Sequence, residues 1–106
     1  MNEKTRARYE ARAKILKSLA HPARLLMVEE LAGGERCVCE LTEKVGSDMS
    51  TVSKHLAVLK GAGIVADEKR GMQVFYTLQT PCALNFLSCV ESVLKANAKR
   101  QTELAG

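Results

Sequence analysis

Residues 46–63 read GSDMSTVSKHLAVLKGAG, and the spacing within them decides the fold. Val52, Leu56 and Leu59 fall at i, i+4 and i+7, the apolar side of one helix. Asp48 stands where a helix wants an oxygen to cap its first turn, and Gly61 and Gly63 mark the other end. Just upstream, Leu41 and Val45 form an i, i+4 apolar pair, so Glu40 to Val45 is a short helix closed by Gly46. Two short helices meeting across Gly46-Ser47-Asp48 make a helix-turn-helix pattern. The second turns Ser50, Thr51, Ser53, Lys54 and His55 outward, a polar face suited to a DNA groove.

Working outward, Ile64 to Glu68 reads as a short strand and Lys69-Arg70-Gly71-Met72 as a turn with a basic tip. Gln73 to Leu78 alternates, with Val74, Tyr76 and Leu78 on one face. A two-stranded hairpin directly after a helix-turn-helix is a wing, and it would bring Lys69 and Arg70 near phosphates. Upstream, a helix starts at His21-Pro22, buries Leu25, Leu26, Val28 and Leu31, and ends at Gly33-Gly34. Residues 3–18 form a further, polar helix with one thin apolar stripe, Tyr9, Ala13 and Leu16, which must dock on something. Thr80-Pro81, as cap and first helical residue, open a last helix with Phe86, Val90, Val93 and Leu94 along one side.

The chain of 106 residues fits a single domain over 1–106. With 26% charged and 46% hydrophobic residues it has globular composition, and its net charge of +4 admits nucleic acid as a partner. The N-terminal MNEKTRARYEARAK has no apolar core of a secretory signal, and no run approaches the ~20 apolar residues of a membrane span. A cytoplasmic location without membrane attachment is therefore expected. There thiols stay reduced, so four cysteines suggest ligand or reactive chemistry before structural disulfides.

Cys37 and Cys39 stand one residue apart in RCVCEL, residues 36–41. On a regular helix they would point about 200° apart. On extended backbone i and i+2 face the same way, with Cα atoms ~7 Å apart. One ion held by both therefore requires an irregular helix start. A disulfide across a single residue is expected to be strained, so chelation fits the spacing better than oxidation. Cys82 and Cys89 lie two helical turns apart, about 10.5 Å along an axis, too far to share one ion in an intact helix. Either completes a site with Cys37 and Cys39 if the last helix passes close, from the same or another subunit. Otherwise both pack in a stripe with Phe86, Val90 and Val93.

Four stretches occur in register: Leu19-Ala20-His21-Pro22-Ala23-Arg24-Leu25, Cys37-Val38-Cys39-Glu40-Leu41, Ser50-Thr51-Val52-Ser53-Lys54-His55-Leu56 and Arg70-Gly71 through Tyr76. Together they resemble the ArsR/SmtB family of bacterial metal-sensing repressors, over residues ~15–78. The resemblance implies a mainly α winged helix-turn-helix with five helices, the wing between the fourth and fifth, and a homodimer formed through the first and last helices. It implies double-stranded operator DNA as partner, no permanent cofactor, and an inducer that releases the DNA. Cys37 and Cys39 match the family's Cys-Val-Cys metal box. His21 replaces the Asp usual at that helix cap.

The chain departs from the family pattern in several places. Thr42 occupies the third Cys position of many arsenic sensors, residues 1–36 lack the Cys that many cadmium and lead sensors use, and residues 81–99 lack the His of the zinc site. Arsenite or antimonite, bound by Cys37, Cys39 and a third thiolate from Cys82 or Cys89, is the inducer these residues favour, with Cd(II) or Pb(II) as alternatives. A redox- or persulfide-sensing repressor on the same fold is a rival reading. A thiol oxidoreductase or metal-buffering protein is another, but an oxidoreductase would want Cys-x-x-Cys in a βαβ setting. No catalytic constellation is visible, and an enzyme is not expected.

Overall fold

Helix starts are fixed by side chains at four of the five helices of the computed structural model, which describes residues 1–105. Asn2 caps α1 (Glu3–Leu19) through the N–H of Thr5 at 2.8 Å. His21 caps α2 (Pro22–Ala32), its Nδ1 accepting the N–H of Ala23 at 3.1 Å. Cys37 caps α3 (Val38–Val45), and Asp48 caps α4 (Met49–Gly61), accepting the N–H of Thr51 at 2.7 Å. That bond, with others from the Thr51 and Ser50 side chains, holds the Asp48 carboxyl below its usual pKa range. Gly46 joins α3 to α4 at φ +77°, the left-handed conformation in which a side chain is strained.

α5 (Ala83–Ala105) begins later than Thr80-Pro81 suggests. The Thr80 hydroxyl turns away to the carbonyl of Ile64, and the Thr80 carbonyl accepts the N–H of Ala83 at 3.0 Å. A tight turn therefore holds Pro81 and Cys82 ahead of the helix.

The core gathers where α2, α3 and α4 cross. Met27, Val28, Leu41, Val52, Leu56 and Leu59 are wholly buried there, closed over by Ile64, Val65 and Tyr76. Met27 takes the central place on α2, while Leu25 and Leu26 are only half-buried. Val52, Leu56 and Leu59 lie as their spacing requires.

The wing is the antiparallel hairpin β2 (Val65–Arg70) and β3 (Gln73–Leu78). Arg70 pairs with Gln73, so the expected four-residue turn tightens to Gly71-Met72, with Gly71 at φ +63°. Expected with two strands, the sheet has three, in the order β1-β3-β2. The added strand, β1 (Arg36–Cys37), pairs Arg36 with Tyr76 and Cys37 with Phe75. It covers the free edge of β3 and seats the first cysteine against the wing. On α1 only Ser18 and Leu19 are buried; Tyr9 and Leu16 of its stripe stay exposed, as do Phe86, Val90, Val93 and Leu94 on α5. Among the described residues, no helix is long and apolar enough to cross a membrane.

Candidate functional site

Cys37 belongs to two elements at once. It is the last residue of β1 and the cap of α3, with φ −79° and ψ 163°. Its Sγ accepts the N–H of Glu40 at 3.4 Å, and Glu40 returns its carboxylate to the Cys37 N–H at 3.1 Å. This reciprocal bond is a capping box in which sulfur takes the usual hydroxyl's place. Extended backbone at Cys37 followed by helix at Cys39 is the irregular start that one ion shared by both cysteines would require. The Cα atoms lie 5.4 Å apart and the two sulfurs are joined. The expectation that oxidation fits poorly is thereby corrected: the extended cap residue swings its Cβ toward Cys39, and 5.4 Å is inside the disulfide range.

The pair opens on a cleft of about 330 Å³. Val38 and the two cysteines form one wall, Met49 and Ser53 of α4 another, and Met72, Gln73 and Val74 of the wing the third. One small space thus touches the reading helix, the wing and both cysteines. Cys82 and Cys89 are exposed on the α5 side, and among the described residues no group of three or more His, Cys, Asp and Glu gathers to hold an ion. Within one chain neither completes a site with Cys37 and Cys39.

Ser50, Ser53 and Lys54 are exposed on α4, Thr51 is half-buried beside them, and Lys69 is exposed on the wing. This is a polar, cationic surface on adjacent elements, the arrangement that fits a major groove and its flanking phosphates.

The model of the bacterial regulatory protein arsR family matches residues 21–67. A biofilm growth-associated repressor of Xylella fastidiosa is 35% identical over 88 residues, which are 83% of this chain and 77% of the relative. The chain belongs to the ArsR family. Solved ArsR-like structures overlay on it closely. The crystal structure of Rv0081 from M. tuberculosis has a TM-score of 0.77 at 34% identity, covering 89% of this chain and 95% of that one. The homodimeric winged helix-turn-helix DNA-binding domain Mb0332 of Mycobacterium bovis reaches 0.77 at 25% identity, covering 94% and 93%. This ArsR-family chain is a winged helix-turn-helix, DNA-binding transcriptional repressor and not an enzyme.

Two residues assigned to DNA from sequence are otherwise engaged in this ArsR-family fold. Arg70 forms a two-pronged ion pair with Glu35, at 2.6 and 2.8 Å, meets Glu68 at 2.8 Å, and lies over the Phe75 ring. Glu35 first, then Glu68, raise its pKa further. Its charge ties the wing to the segment before Cys37, and Lys69 is exposed beside it. His55 is half-buried at the α2–α4 crossing, where its Nδ1 accepts from Arg24 Nε at 3.1 Å and its ring lies 4.2 Å from that of His21. Arg24 also donates to the Ser18 carbonyl at 3.1 Å, so one guanidinium ties α1, α2 and α4 together. Sequence reading missed Met49, Met72, Gln73 and Arg24. Only the last carried a signal, through its place in the LAHPARL stretch.

Burial, then the charges of His21 and Arg24, lower the His55 pKa below its ordinary 6.5. The unfolded chain therefore binds the proton more readily, and the stability carried by neutral His55 is present above about pH 6.5 and lost as pH falls through the lower folded value. Acidification from about pH 7.5 to 5.5 is expected to lower the melting temperature by a few degrees. His55→Asn, which keeps an acceptor for Arg24 without a titrating ring, should flatten that slope. Equal slopes in thermal melts of the two proteins would remove His55 as the cause.

Proposed function

We propose that the chain is a homodimeric, operator-binding repressor whose DNA affinity falls when a thiophilic inducer engages Cys37 and Cys39, with arsenite or antimonite as that inducer. The observation that carries this reading is the cleft shared by the cysteine pair, the N-terminal turn of α4 and the wing. The homodimeric state of Mb0332 and the uncovered apolar sides of α1 and α5 support assembly through those two helices. Paired reading helices then enter major grooves one turn, about 34 Å, apart. Ser50, Thr51, Ser53 and Lys54 contact bases or backbone, and Lys69 contacts phosphate.

The residues present fit a soft inducer in part. Two sulfurs converge, and a third thiolate comes from Cys82 or Cys89 of a second protomer. Cd(II) or Pb(II) would use the same thiolates. The cap carries the regulation: Cys37 fixes the start of α3, and α3 packs on α4. Any change at Cys37 reaches the reading helix through that packing. The joined sulfurs favour a second reading, release on thiol oxidation or persulfide formation.

Fluorescence anisotropy on DNA from upstream of the protein's own gene tests both. For the reduced parent, arsenite is expected to weaken binding about 100-fold, near the upper end of ordinary coupling. Cys37→Ser and Cys39→Ser should hold DNA at every arsenite concentration. Variants that release DNA as readily as the parent would refute the sensor role of the pair. Release by a polysulfide, whose sulfane sulfur passes to a thiolate as hydrosulfide or a shorter polysulfide leaves, and not by arsenite, would select the second reading.

A further inference from the structure

The cleft beside the cysteines holds two more sulfur-bearing side chains. Met49 is the first residue of the reading helix and is 53% exposed, while Met72 at the wing tip is 100% exposed. Neither serves the core, and an exposed thioether does nothing for a phosphate. Their common property is chemical. A thioether is a neutral, soft donor that soft ions accept and hard ions ignore.

We propose that Met49 and Met72 complete the Cys37–Cys39 site as a two-thiolate, two-thioether cleft for a monovalent d10 ion, Cu(I) or Ag(I). The donor set carries the choice. Arsenite takes thiolates and gains little from thioethers, and divalent borderline ions favour imidazole, carboxylate or further thiolate ligands over a neutral thioether. A singly charged soft ion needs no further anionic ligand beside the two thiolates and readily accepts both neutral sulfurs. Placement matters as much. The four donors come from the β1–α3 junction, the first turn of α4 and the β2–β3 turn, three segments far apart in sequence. The cysteines are anchored: Cys37 is 4% exposed and held by strand pairing and by its capping box. Met72 rides on a two-residue turn and can close over them. Such closure would draw in the wing tip and the Ser53 side of α4, surfaces that DNA needs open.

The inference rests on the proposed function only for its effect on DNA; the ligand set is tested without it. Reduced protein is titrated anaerobically with Cu(I) against a chromogenic Cu(I) chelator, and separately with arsenite. Replacing both methionines, Met49→Leu with Met72→Leu, keeps side-chain volume and removes the thioethers. The ratio of Cu(I) to arsenite affinity is expected to fall about tenfold or more. X-ray absorption at the copper edge of the parent should count more than two sulfurs, dropping to two in the double variant. An unchanged ratio, or two sulfurs already in the parent, overturns the proposal. If the ratio falls while neither ligand releases DNA, the four-sulfur site stands and the regulatory reading does not. Release by arsenite with an unchanged ratio removes the four-sulfur site and leaves the regulatory reading standing.

Discussion

Phe86→Glu combined with Val90→Glu is expected to leave the protein monomeric at micromolar concentration and to weaken operator binding by about 100-fold or more. The two side chains are 45% and 40% exposed in the single chain, on a face continued by Val93 and Leu94. They stand at i, i+4, i+7 and i+8, an apolar stripe with no cover from its own chain. Covering Phe86 and Val90 in a dimer removes apolar area from water at roughly 25 cal/mol per Å². Carboxylates there would be buried without partners, each costing about 3–5 kcal/mol. A monomer presents one reading helix, so the second contact no longer forms at high effective concentration. Light scattering after size exclusion reads the mass, and anisotropy reads the affinity. Phe86→Leu with Val90→Ile should retain both. A glutamate variant that remains dimeric with affinity within about threefold of the parent would rule out this face as the interface.

Leu56→Ala is expected to cost about 3–4 kcal/mol of folding stability, out of the ~5–15 kcal/mol typical of a domain. Leu56 has no exposed surface and meets the core at the crossing of α2 and α4. Its neighbours Val52 and Leu59 share that side and are anchored by backbone, so the void cannot collapse fully. Operator binding should fall with the folded fraction and recover at low temperature. Urea denaturation measures the cost, and a loss below about 1 kcal/mol would mean that the core repacks around the missing atoms.

The helix-turn-helix was legible because its signals are local. An apolar period of three to four residues, an Asp cap and a left-handed glycine each act within one turn. Gln73–Leu78 was legible for the same reason, since alternation defines a strand without its partner. β1 was not, because two residues carry no period; its pairing partner lies some forty positions away, and only the fold supplies it. Arg70 was assigned to phosphate because charge at a wing tip faces solvent by default, and Glu35 was invisible as its partner across that distance. The irregular start of α3 was legible only as the condition for one ion to be held by both cysteines, and the capping of α3 by Cys37 meets it. Met49 and Met72 did not stand out, because each looks like an ordinary surface residue until the hairpin and α4 close on the same cleft.

The pairing of Arg36 and Cys37 with β3 also bears on how this chain can vary in length. One residue added between Gly34 and Val38 would reverse which face of the strand each side chain takes. The sulfur of residue 37 would then leave the cap, the strand edge and its neighbour at 39 together. Segments of this kind tolerate substitution far better than insertion. The Gly33-Gly34 bend just before it can absorb drift in α2. The few residues between bend and helix form a fixed-length ruler, and relatives that keep this cysteine in this role should keep that spacing as well.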